Sequence, residues 1–175
     1  MGRSNHALLL LVVAVAAATC SSAAAQVVPA EVSEVCKGTP YADLCSATAG
    51  KQAGHYPTVD ALAVLNMQVD AFAKRTSAAR ERVTQMSAGA TPGAKKALET
   101  CDTLYSDVED NLGAARRAIG FKDATTIRAM MGMAAQDMQN CDEEFRIAGE
   151  KNPMDRFDQS LLRISENCRA LSNMI

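Results

Sequence analysis

The residues of this sequence best suited to nucleophilic, redox or metal chemistry are its 6 cysteines and 2 histidines. Met1-Gly2-Arg3, an apolar run over Ala7–Ala18 and the small residues up to Ala25 form the n-region, h-region and cleavage site of a secretory signal peptide. The apolar run is shorter than the ~20 residues a membrane span needs. Cleavage before Gln26 removes Cys20 and His6, leaving Cys36, Cys45, Cys101, Cys141, Cys168 and the single His55.

Those survivors make poor catalytic machinery. A Cys168–His55 nucleophile pair would need an orienting third group, and Cys168 falls on an apolar helical stripe. One histidine with mostly paired thiols does not supply the three or four ligands of a zinc site, so neither metal nor other cofactor is expected. The acidic clusters Asp107-Glu109-Asp110 and Asp142-Glu143-Glu144 imitate a glycosidase carboxylate pair but read better as solvated helix faces. Phosphate-loop, nucleophile-elbow and zincin motifs are missing, as is any N-x-S/T sequon. The expectation is a binding protein and not an enzyme. A net charge of −2 without a Lys/Arg run leaves no footprint for nucleic acid, and a basic partner suits it better.

The elements that would position these residues are helical. Four segments carry apolar side chains at steps of three and four. The first follows Pro57 from Thr58 and runs through Leu62, Leu65, Val69, Phe72, Ala79, Val83 and Met86, with the Thr91-Pro92-Gly93 cluster expected as the turn after it. The second runs from Leu98 through Cys101, Tyr105, Val108, Leu112 and Ala115 to Ile119, with Gly120 as its C-cap. The third starts at an Asp123 N-cap and carries Ile127, Met131, Ala134, Met138, Cys141 and Phe145. The fourth follows Asn152-Pro153 and ends near Ile175. Ahead of them, Val32–Cys36 and Tyr41–Ala49 read as two short helical pieces. The fold class is therefore all-α: an up-down-up-down four-helix bundle over residues 57–175, with a short N-terminal helical hairpin and linker over residues 26–56. Residues 26–175 form one domain behind a signal peptide of residues 1–25.

Export implies an oxidising compartment, in which five thiols give two disulfides and one leftover. Cys101 and Cys141 are equidistant from Phe121, twenty residues on either side, so an antiparallel hairpin turning there sets them level and within bridging reach. Cys168 fails that test against Cys141 and is expected as a free, buried thiol. Cys36 and Cys45 remain, bracketing the Gly38/Pro40 turn.

Val35-Cys36-Lys37-Gly38-Thr39-Pro40-Tyr41-Ala42-Asp43-Leu44-Cys45 and the run Ala97-Leu98-Glu99-Thr100-Cys101-Asp102-Thr103-Leu104-Tyr105 resemble the first cysteine pair and the A-L-x-x-C-x-x-L-Y signature of the plant invertase and pectin methylesterase inhibitor family. Gly132-Met133-Ala134-Ala135 departs from the S-A-A-L-T that is usual there, and Cys141 to Phe145 keeps the C-x-x-x-F. The resemblance implies the same two bridges. It also implies a secreted, apoplastic inhibitor that binds one-to-one, without covalent chemistry, over the pectin-binding cleft of pectin methylesterase. The alternative is an inhibitor of cell-wall or vacuolar acid invertase, and a second alternative is a non-inhibitory bundle carrying a lipid or small ligand. Gly120-Phe121-Lys122-Asp123 stands where the invertase branch often has Pro-Lys-Phe, which favours the esterase. Lys122, Thr125, Thr126 and Asp137 are the expected partner contacts. Met130 and Met133, off the core stripe, are expected to flank them.

Overall fold

The computed structural model describes residues 28–175; the leader expected over residues 1–25 lies outside them. Two short helices, α1 (Ala30–Cys36) and α2 (Ala42–Ala49), precede four long ones: α3 (Ala61–Ser87), α4 (Pro92–Gly120), α5 (Ala124–Ile147) and α6 (Asp155–Leu171). Short 3-10 turns lie at Ala53–His55 and Ser172–Met174. Helix α4 packs on α3 and α5, and α6 packs on α5 and α3, which closes an antiparallel four-helix bundle. The α1–α2 hairpin rests on α3 and α6.

Three of the four long helices, α3, α4 and α5, begin where a side chain satisfies an orphan N–H group. Asp60 accepts from the Ala63 amide at 2.8 Å, so α3 starts three residues later than Thr58. Thr91 accepts from Ala94 N at 3.2 Å and Pro92 takes the first helical position, where its missing N–H costs nothing. The cluster expected as a turn therefore opens α4, six residues ahead of its first large apolar side chain. Asp123 accepts from Thr126 N at 3.0 Å and caps α5.

The turn after α4 also differs from expectation. Gly120 is the last helical residue, and Lys122 adopts the left-handed conformation at φ 53°. Asp123 N donates to Ala118 O at 3.0 Å and Lys122 N to Ile119 O at 3.0 Å, which satisfies the last carbonyls in a Schellman motif. At the end of α5, Gly149 holds the matching position at φ 66° without a side chain to strain it.

The core is one continuous cluster around Tyr105, Phe72, Phe145, Leu65 and Met131. Cys101 and Cys141 lie within it, bonded at 2.05 Å with Cα atoms 4.8 Å apart. Closing a loop of 40 residues, this bridge stabilises by about 4 kcal/mol on the chain-entropy account. Cys36 and Cys45, nine residues apart, are bonded with Cα atoms at 5.6 Å and hold the α1–α2 hairpin. Cys168 is a buried free thiol whose pKa burial pushes up, so it is chemically quiet.

Four polar side chains with almost no exposure fix how the helices meet. Ser165 donates to Met131 O at 2.8 Å, joining α6 to α5. Gln68 donates to Cys45 O at 3.1 Å and to Thr48 Oγ1 at 2.6 Å, joining α3 to α2. Asn167 holds the backbone of Tyr41 through both its oxygen (2.9 Å) and its nitrogen (3.1 Å). Asp158 accepts from Tyr105 Oη at 2.5 Å and from Asn152 Nδ2 at 3.1 Å.

Burial raises the Asp158 carboxyl to about 6, against the opposing hydrogen bonds from Tyr105 and Asn152. The unfolded value is ~3.9, so the stabilisation linked to protonation is full below that and disappears as pH rises through about 6. The expected outcome is a fold more stable at pH ~4.5 than at pH ~7.5 by about 2 kcal/mol from this group. In Asp158→Asn, which keeps an acceptor for Tyr105, that difference shrinks by the same amount; guanidinium titrations at the two pH values measure it.

Candidate functional site: the outer face of the α4–α5 hairpin

Helical phase places Thr126, Met133, Asp137 and Glu144 along one side of α5, with Lys122 in the turn ahead of it, and Asp107, Asn111, Ala114 and Ala118 along the adjoining side of α4. The two stripes run antiparallel on either side of the seam that the Cys101–Cys141 bridge pins. They form one face about 35 Å long at 1.5 Å per residue.

At its middle, Asn111 donates to Asp137 Oδ2 at 3.1 Å across the seam. Partial burial and the neighbouring Asp107 charge raise the Asp137 carboxyl, while the Asn111 hydrogen bond opposes them. Neither Asp107 nor Asp137 forms an ion pair among the described residues. On the α3 side of α4 the carboxylates are committed instead. Arg80 reaches Asp102 at 3.0 Å and Glu109 at 2.8 Å, and those two hold its guanidinium well above its ordinary pKa. On the α4–α5 face the Asp107 and Asp137 carboxylates thus lack an ion-pair partner among the described residues, and Lys122 is the cation at its hairpin end.

Two exposed apolar side chains stand on this hairpin: Phe121 at its tip, 85% exposed, and Met133 one turn from Asp137, 52% exposed, both large for solvent-facing positions. Met130, expected beside them, packs against the core, because its position on α5 points into the seam.

The expected contact residues fall into two groups. Lys122 and Thr125 are exposed at the tip. Thr126 donates its hydroxyl to Asp123 Oδ2 at 2.6 Å, which makes it part of the α5 cap, and that bond is the largest of those holding the Asp123 carboxyl below its usual range. Asp137 stands three turns further along. The sequence reading missed Asp107, Asn111 and Phe121. Charge and amide character are visible in the sequence, but the Asn111–Asp137 contact spans 26 residues and needs the hairpin register to appear. His55 ends the exposed turn before α3, on none of the elements of this face.

Among the described residues no helix is long and apolar enough to cross a membrane. No curated protein matches the chain. Solved structures that share its fold include two inhibitors. A mutant form of a pectin methylesterase inhibitor from Arabidopsis superposes with a TM-score of 0.69 at 15% identity, covering 84% of this chain and 98% of its own. A pectin methylesterase inhibitor from Arabidopsis thaliana superposes with a TM-score of 0.61 at 16% identity, covering 82% and 95%. The sequence matches the plant invertase/pectin methylesterase inhibitor family over residues 30–171, nearly the whole described chain. The chain is a disulfide-stapled helical bundle with a long α4–α5 hairpin. This chain belongs to the plant invertase/pectin methylesterase inhibitor family, whose members are inhibitors and not enzymes.

Lys122 is strained where glycine is at ease. Lys122→Gly is expected to raise stability by about 0.5 to 1 kcal/mol, the relief of the left-handed backbone less the added freedom of the unfolded chain. Thermal melts measure it. Unchanged or lower stability would mean that the Lys122 side chain itself holds the turn.

Proposed function

We propose that the protein is a secreted, apoplastic inhibitor of pectin methylesterase, which lays the outer face of α4–α5 across the enzyme's pectin-binding cleft and excludes the polymer, one-to-one and without covalent chemistry. The unit that does so is residues 26–175, after removal of a signal peptide of residues 1–25. The observation that carries this reading is the chemistry of that face: the carboxylates of Asp107 and Asp137, free of ion pairs among the described residues, beside exposed Met133, with exposed Phe121 at the tip, on a hairpin stiffened by a disulfide. Exposed apolar anchors beside a charged patch are what a specific protein interface uses. Both solved neighbours are described as pectin methylesterase inhibitors, and a standard interface of about 1,600 Å² fits a face of this length.

Inhibition of acid invertase is the second reading, since the family covers both activities. The carrier reading loses support because the bundle interior is filled by Tyr105, Phe72, Phe145 and Leu65, all without exposure.

Side-by-side assays against purified pectin methylesterase and acid invertase test the target. The esterase is expected to lose activity at a near-stoichiometric dose and the invertase to keep it; the reverse result moves the protein to the second reading. Asp107→Lys combined with Met133→Lys, both at exposed positions, is expected to weaken inhibition about tenfold or more. Inhibition should also fall as pH drops through the Asp137 titration and as salt rises, since protonation removes the charge and salt screens it.

A further inference from the structure

The α3–α6 seam lies on the side of the bundle opposite α4–α5, and there the surface chemistry inverts. A groove of about 740 Å³ runs between α2 and α6, lined by Tyr41, Asp43, Asp155, Arg156, Gln159 and Arg163. A second, of about 320 Å³, continues it along α3 past Lys51, Lys74 and Arg75; the two share Leu44 and Ser160. Among the described residues none of the five cations forms an ion pair. Five positive side chains against two carboxylates make this a local basic track on a chain whose net charge is −2.

The track is built and not merely decorated. Buried Asn167 grips the Tyr41 backbone at both polar ends, which fixes the ring at the groove wall with the Arg163 guanidinium 5.5 Å from its centroid. Arg75 lies over Phe157 at 5.1 Å and donates one terminal nitrogen to Arg156 O at 3.4 Å. Its buried Nε has no acceptor among the described residues.

We propose that this groove binds an acidic oligosaccharide, a chain of hydroxyl-rich rings carrying carboxylates. Guanidinium forks match carboxylates in geometry, and an immobilised phenol ring offers an apolar platform to a sugar face. Gln159 and Ser160 supply uncharged hydrogen-bonding groups between the charges. Asp43 and Asp155, which also line the groove, can accept from sugar hydroxyls. The inhibitor would then hold a uronate polymer on one side while its opposite face engages an enzyme. The binding itself does not depend on that engagement.

Native affinity electrophoresis of the protein purified from a secreting host tests the inference, with de-esterified polygalacturonate, the same polymer heavily methyl-esterified, or polyglutamate cast into the gel. Retardation by the de-esterified polymer alone is expected. Lys74→Ala/Arg163→Ala, both at exposed positions, should weaken it about tenfold or more, the loss expected for a charged hydrogen-bonding group. Glu81→Gln, exposed and away from the groove, should leave it unchanged. Circular dichroism checks that the double variant is folded. No retardation, or retardation that survives the double variant, overturns the proposal. Equal retardation by polyglutamate overturns sugar recognition in favour of bulk charge, and equal retardation by the esterified polymer overturns the role of the carboxylates.

Discussion

The covalent tie between Cys101 and Cys141 fixes the register on which the rest of this structure depends. Two helices of 29 and 24 residues packed only by apolar stripes could slide by a turn and still bury similar area, because ridges of side chains repeat along both. A sulfur bridge inside the core forbids that slide. It also places Asn111 opposite Asp137 and brings Asp107 near enough to disturb the Asp137 titration. The Schellman turn at Phe121-Lys122 and the Asp123 cap carry the chain from one helix to the next within three residues.

Buried polar contacts complete the specification. Tyr105 stands one helical turn after Cys101 and donates to Asp158, so the α4–α5 unit is tied to α6 beside its own disulfide. Asn167, Gln68 and Ser165 each satisfy backbone groups of a neighbouring element. Such groups cost free energy when left unpaired, which penalises packings that misplace them. The result is a rigid body with two unlike surfaces: an acidic hairpin face with exposed apolar side chains, and a basic groove at the opposite seam.

The long helices are legible in the sequence because their stripes are dense and their ends carry Gly, Pro and Asp. The level of Cys101 and Cys141 is legible because a short turn converts sequence distance into height. What escapes is set by tertiary contact. The start of α4 at Thr91-Pro92 looks like a breaker until the cap is seen, since Pro and Gly punctuate turns and first helical turns alike. Lys122 in a left-handed conformation has no sequence signal, because lysine gives none. Met130 and Met133 are indistinguishable by residue type, and only the seam decides that the first is covered and the second open. The Tyr105–Asp158 pair spans 53 residues, and the basic groove draws on three helices that no local pattern links.

Hydrogen exchange measured on the one-to-one complex with pectin methylesterase tests the central claim most directly. Docking through the outer face of α4–α5 predicts slowed exchange at the Phe121-Lys122 turn and along the exposed sides of α4 and α5, with α2 and the groove side of α6 unchanged. Protection concentrated on α2, α3 and α6, with the hairpin exchanging as in the free protein, would contradict it.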